Sequence, residues 1–159
     1  MSVIIPGSYD PVTLGHLDII RRASEKYDEV YAVIFTNPDK KYTFSLEERI
    51  KMLILATDEF ENVMVSSSNG LVIDYMREHE IDKIVKGYRN DTDLEYERIQ
   101  AEWNFNHGGF ETELLPANPE YSSVSSTKAR ELIRGGEDTE GILPKSVARY
   151  IESLEKEGL

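Results

Sequence analysis

Apolar and polar positions along the chain alternate between two rhythms, short continuous apolar runs and longer stretches with helical spacing. Val3-Ile4-Ile5 reads as a buried strand, after which Pro6, Gly7 and Pro11 interrupt regular structure. From Leu14 the apolar residues Leu17, Ile19, Ile20, Ala23 and Tyr27 mark one helical face, with Asp18, Arg21, Arg22 and Glu25 mostly on the other. Val30 to Phe35 is a β-branched and aromatic run, the pattern of a strand covered on both sides, and it ends at Thr36-Asn37-Pro38. Ser45 with Glu48 three residues later forms a capping-box signature, and Leu46, Ile50, Leu53 and Ile54 are the expected buried face of the second helix.

The rhythm continues with a short strand, Val63-Met64-Val65, a loop Ser66 to Gly70, and a helix from Leu71 to His79. Lys83 to Gly87 reads as a fourth strand, and a long helix from about Asp93 to Asn106 is closed by Gly108-Gly109. Thr112 to Leu115 is the fifth strand, Pro116 to Ser125 a loop, Ser126 to Ile133 a capped helix, and Pro144 to about Lys156 the last helix. Such alternation predicts an α/β fold, a Rossmann-like, doubly wound, five-stranded parallel sheet with helices on both faces. In the order 3-2-1-4-5, ligands bind beyond the carboxyl ends of strands one and four, where the order reverses.

Composition narrows the picture. A length of 159 residues suits a single domain over positions 1–159, and 40% hydrophobic with 30% charged residues is ordinary for a globular protein. No apolar run is long enough to span a bilayer, and Met1-Ser2-Val3 lacks the start of a signal peptide, so the expected compartment is the cytoplasm and no membrane partner is expected. With no cysteine there is no thiol nucleophile or disulfide. A net charge of −12 argues against nucleic acid as a partner. An acidic chain that binds a phosphorylated small molecule must gather its few cations locally.

They gather on one edge. Four segments that follow strands carry Gly7-Ser8-Tyr9-Asp10 with Gly15-His16, Lys40-Lys41, Lys86-Gly87-Tyr88-Arg89, and Tyr121 to Lys128. Each has a plain alternative. Lys40-Lys41 alone reads as a solvated loop, Lys86 and Arg89 as partners of surface carboxylates, and the serine run as a helix cap. Together they set cations, hydroxyls and two helix N-termini around one crevice, which fits a multiply phosphorylated ligand. The usual dinucleotide, Walker and serine-hydrolase signatures are absent, and the three histidines are too scattered to form an evident zinc site. His79 and His107 are expected at the surface, and Trp103 in a core or a subunit contact.

Thr13-Leu14-Gly15-His16 matches the Thr/His-x-Gly-His signature of the nucleotidyltransferase superfamily, and Val124-Ser125-Ser126-Thr127 resembles its second signature. Over essentially its whole length, including Asn37-Pro38-Asp39-Lys40-Lys41, Leu46-Glu47-Glu48-Arg49 and Asp93 to Glu97, the chain resembles the phosphopantetheine adenylyltransferase family. That resemblance implies transfer of AMP from ATP to 4′-phosphopantetheine with Mg²⁺, giving dephospho-coenzyme A and pyrophosphate, in a homohexamer.

The resemblance also implies roles by position. Ser8 would touch both substrates, Lys40 the acceptor phosphate, Val72 the pantetheine side and Lys86 the region near its phosphate. His16 would hold the α-phosphate of ATP, Arg89 its β and γ phosphates, and Ser125, Ser126 and Thr127 the triphosphate. Tyr9, Gly87, Tyr88, Glu97, Tyr121, Ser122, Ser123 and Val124 would complete the nucleotide site. Catalysis would fall to His16, Lys40, Ser8 and Arg89. The chain departs from common family residues at Lys86 (commonly Arg), Tyr121 (commonly Trp) and Thr127 (commonly Ser), and its Pro116–Glu120 loop is a residue longer.

Two other readings share parts of this pattern. A cytidylyltransferase acting on glycerol phosphate, or an adenylyltransferase acting on nicotinamide mononucleotide, carries the same signatures, and the Lys40 and Lys86 contexts favour phosphopantetheine over both. A receiver-like signalling module would want paired acids after strand one and an aspartate at the end of strand three, where this chain has Ser66-Ser67-Ser68.

Overall fold

The structure, a computed structural model, describes residues 1–157. Its strands are β1 (Ser2–Gly7), β2 (Glu29–Phe35), β3 (Val63–Ser68), β4 (Lys83–Tyr88) and β5 (Thr112–Pro116). Its helices are α1 (Leu14–Lys26), α2 (Leu46–Thr57), α3 (Val72–His79), α4 (Asp91–Gly108), α5 (Ser126–Arg134) and α6 (Lys145–Glu157). The sheet is parallel throughout in the order β3-β2-β1-β4-β5, as the alternation predicts.

The side-chain period of two divides the apolar residues of the inner strands between the faces. Val3 and Ile5 of β1 join Val30, Ala32 and Ile34 of β2 in a core covered by α1, α2 and α6 through Leu17, Ile20, Met52, Leu53, Val147 and Ile151. Ile4, Val33 and Ile84 face the other way, onto Tyr75 and Met76 of α3. Burying each such side chain contributes about 1.5–3 kcal/mol, so the central strands form a rigid base for the loops at their carboxyl ends. No helix among the described residues is long and apolar enough to cross a membrane.

Three local expectations are corrected. Ser66, Ser67 and Ser68 belong to β3, where their backbones pair with Val33, Ile34 and Phe35. Helix α2 is rotated from the expected face: Leu46 and Ile54 are 37% and 44% exposed, while Arg49, Met52, Leu53 and Ala56 are buried. The inward turn of Arg49 accounts for the rotation, because its guanidinium donates to carbonyls inside the fold. Helix α4 begins earlier than expected, since the Asn90 side chain accepts from Asp93 N–H and caps it, and it buries none of its residues.

Candidate active site

The crevice between β1 and β4 opens as a cavity of about 720 Å³ at the carboxyl edge of the sheet. It holds Ser8, Tyr9, His16, Lys40, Lys86, Gly87, Tyr88, Arg89, Glu97, Tyr121, Val124, Ser125, Ser126 and Thr127 in its lining. One side is the turn from Gly7 to Thr13. Thr13, 1% exposed, caps α1: its hydroxyl accepts from His16 N–H, and its own N–H donates to His16 Nδ1 at 3.0 Å. A ring nitrogen that accepts an N–H carries no proton, so neutral His16 has its proton on Nε2 and can donate it. Burial, then the charges of Lys86 and Arg89, lower the His16 pKa to about 4.

Much of the free end of α1 is already spent. Leu14 N–H donates to Ile142 O at 2.9 Å and His16 N–H to Thr13 Oγ1 at 3.4 Å. Anion binding on this side therefore falls to the imidazole and to Gly15 N–H. Helix α5 supplies a second N-terminus on the same cavity, capped at Ser125, whose hydroxyl accepts from Lys128 N–H at 3.0 Å. It is fastened to the turn by Ser126 Oγ donating to Pro11 O at 2.8 Å and by Arg130 donating to Asp10 O at 2.9 Å.

On the other side the cations rest on carboxylates. Lys86 Nζ lies 3.6 Å from Glu97 Oε1 and also donates to Pro6 O at 3.3 Å. Arg89 Nε donates to Asp93 Oδ2 at 3.0 Å. Burial raises the pKa of Glu97, an effect that Lys86 opposes. Lys40 stands on the exposed loop after β2, with Nζ 5.5 Å from the centre of the Tyr42 ring.

Some sequence assignments change meaning in three dimensions. Tyr9 is 2% exposed, and its hydroxyl donates to Ile5 O at 2.7 Å while its ring packs 4.9 Å from that of His16. The phenol therefore supports the turn and is not free to grip a nucleotide. Its backbone has φ 48, a left-handed conformation that a buried ring and hydrogen bond can offset. Gly87 has a packing reason as well, since a Cβ there would lie 2.8 Å from Ile19 Cγ1. Ser122 and Ser123 do not line the cavity: both are exposed, and Ser122 Oγ donates back to Pro119 O at 3.0 Å. Val72 lines an adjoining hollow of about 200 Å³, which shares Ser8, Lys86 and Glu97 with the main cavity.

Sequence reasoning missed the frame around these groups. Asp10, 5% exposed, accepts the N–H groups of Thr43 and Phe44, each at 2.9 Å, and so ties the loop after β2 to the turn after β1. Arg130 and Arg134 add cations to the lining. The spacing of Arg130 on a short helix after the second signature was the available signal; Asp10 showed none, because its partners are backbone groups distant in sequence.

Residues 4–132 match the cytidylyltransferase-like family. The phosphopantetheine adenylyltransferase of Thermobifida fusca is 40% identical over 161 residues, covering 98% of each chain. Those of Streptomyces coelicolor and Clostridium novyi are 44% and 42% identical, covering 91% and 93% of this chain and 91% and 92% of their own. The chain belongs to the phosphopantetheine adenylyltransferase family, a branch of the cytidylyltransferase-like nucleotidyltransferases.

Proposed function

We propose that the chain transfers the adenylyl group of ATP to 4′-phosphopantetheine by direct in-line attack. A phosphate oxygen of the acceptor forms a bond to the α-phosphorus, the bond from that phosphorus to the bridging oxygen breaks, and pyrophosphate leaves. The acceptor phosphate is already ionised near neutral pH, so no strong base is needed, and catalysis consists of positioning and charge stabilisation. The observation that carries the reading is the convergence on one cavity of His16, Lys40, Lys86, Arg89 and the capped start of α5.

In this reading His16 donates Nε2–H to the α-phosphate, and Ser8 stands between the two substrates. Lys40 and Lys86 hold the acceptor phosphate, with Val72 on its pantetheine side. Arg89 and the Ser125–Thr127 start of α5 take the β and γ phosphates, while Gly87, Tyr88, Glu97, Tyr121 and Val124 border the nucleotide. Mg²⁺ is the proposed cofactor, and it would neutralise charge on the leaving pyrophosphate. Among the described residues no cluster of three or more potential ligands could cage it. That donor set fits an ion carried mainly by phosphate oxygens and water, with Asp93 or Glu97 of the cavity lining to assist.

The reading extends to a homohexamer and to the cytoplasm, where ATP is consumed. Exposed Tyr96, Ile99, Trp103 and Phe105 on α4 support self-association, and light scattering of the purified protein tests the hexamer. The reaction is tested by a pyrophosphate-release assay crossing ATP and CTP with phosphopantetheine, nicotinamide mononucleotide and glycerol phosphate. Turnover is expected with ATP and phosphopantetheine. Activity confined to another pair would overturn the reading.

A further inference from the structure

Arg49 is 2% exposed, and among the described residues it forms no ion pair with a carboxylate. A buried charge without a counter-ion is costly unless hydrogen bonds compensate it. Its compensation comes from the two loops that reach the candidate site. Nε donates to Phe44 O at 3.2 Å in the loop after β2, and Nη1 donates to Ser8 O at 3.1 Å in the turn after β1. The guanidinium also lies 3.9 Å from the centre of the Tyr42 ring. Tyr42 Oη in turn accepts Asn37 N–H at 2.9 Å, which closes the loop that carries Lys40.

We propose that Arg49 is a positioning residue for the acceptor, fixing the Lys40 loop against Ser8 through the shelf of Tyr42. The proposal rests on the adenylyl-transfer reading, in which Lys40 and Ser8 receive the acceptor phosphate. Only a planar fork can bridge two carbonyls and stack on a ring together; a lysine keeps the charge but loses that geometry. Asp10 makes the parallel bridge with its two backbone bonds, so the loops stay joined without Arg49 while their separation becomes less defined. His16, Arg89 and the start of α5 lie on other elements, so apart from Ser8 the nucleotide contacts do not rest on Arg49.

The test uses the full chain with Arg49→Lys, Tyr42→Leu and Tyr42→Phe beside the unaltered protein. It measures kcat, KM for phosphopantetheine and the ATP dissociation constant by calorimetry. Arg49→Lys is expected to raise that KM and lower kcat, each by about tenfold, with ATP affinity held within about twofold. Tyr42→Leu is expected to move the same two quantities in the same direction, and Tyr42→Phe, which keeps the stacked ring but loses the Asn37 N–H bond, to fall between Tyr42→Leu and the unaltered protein. A folded Arg49→Lys protein with unaltered kinetics, or one that loses ATP and acceptor binding equally, overturns the proposal. If Arg49→Lys does not fold, half-buried Tyr42 decides: an acceptor-specific loss in Tyr42→Leu supports the proposal, and its absence overturns it. An unaltered protein inactive with ATP and phosphopantetheine would instead overturn the underlying reading and the proposal with it. Activity there with insensitive variants removes the positioning role alone.

Discussion

Helices α1 and α4 both reach the same cavity, and they are built in opposite ways. Over 13 residues α1 buries Leu17, Asp18, Ile19, Ile20 and Ala23, whereas α4 buries none of its 18. Around α1 the hydrogen bonds run from protein to protein: Thr13 with His16, Leu14 with Ile142, Ser126 with Pro11, Arg130 with Asp10. Beside α4 the cations are parked on acids, Lys86 on Glu97 and Arg89 on Asp93. One half is therefore held by its own hydrogen bonds, and in the proposed reaction the other half exchanges carboxylates for phosphates. A protein of net charge −12 has acids to place beside its few cations.

The largest effect is expected on the fixed half. His16→Ala should lower kcat at least 10²–10³-fold, about 2.7–4 kcal/mol, by analogy with losing one oxyanion donor. Unchanged kcat in steady-state assays would remove the fixed half from the chemistry. Next comes the contact that seats α1 on β4. Ala at Gly87 would put a Cβ 2.8 Å from Ile19 Cγ1 and 2.9 Å from its Cδ1, and Ile19 is only 6% exposed. Gly87→Ala should cost about 1–3 kcal/mol of stability in denaturant unfolding, and an unshifted midpoint would show that α1 can move away freely.

The adjustable half should respond least. Asp93→Asn leaves an acceptor beside Arg89 but removes the competing charge, and such a part-exposed pair is worth about 1 kcal/mol or less. The KM for ATP should therefore fall by about two- to fourfold at low salt, the difference fading as salt rises. A rise in KM would mean that Asp93 orients Arg89 for the phosphates or assists the Mg²⁺ they carry, and does not compete with them.

The same contrast decides what could be read in the sequence. The start of α1, the sheet order and the convergence of His16, Lys40, Lys86 and Arg89 were legible, because strand runs, caps and breakers are local signals. The inward face of α2 was not, since a charged residue at Arg49 reads as outward until its carbonyl partners at Ser8 and Phe44 are known. Ser66–Ser68 carry no strand pattern; their place in β3 is fixed by backbone pairing with β2. Tyr9 looked like a ligand-facing residue, yet it is buried and its hydroxyl donates to the backbone of Ile5, while Asp10 beside it spends its carboxylate on the backbone of Thr43 and Phe44. Trp103 was expected in a core or a subunit contact, and in this chain it is 42% exposed and stacked on His107 at 4.0 Å.

That the fixed half is held by its own hydrogen bonds depends on His16 being neutral, with Nδ1 bonded to Thr13 and Nε2 carrying the proton. In the unfolded chain His16 takes up its proton near the ordinary value of 6.5, in the folded chain near 4. Between those values the unfolded state binds more protons, so stability falls on acidification, and His16→Gln should remove that part of the slope. The direct measurement is nitrogen-15 NMR of histidine-labelled protein without substrates, followed through a pH titration. The account predicts an Nε2–H tautomer at neutral pH that persists until about pH 4. An Nδ1–H tautomer, or titration near 6.5, would contradict it.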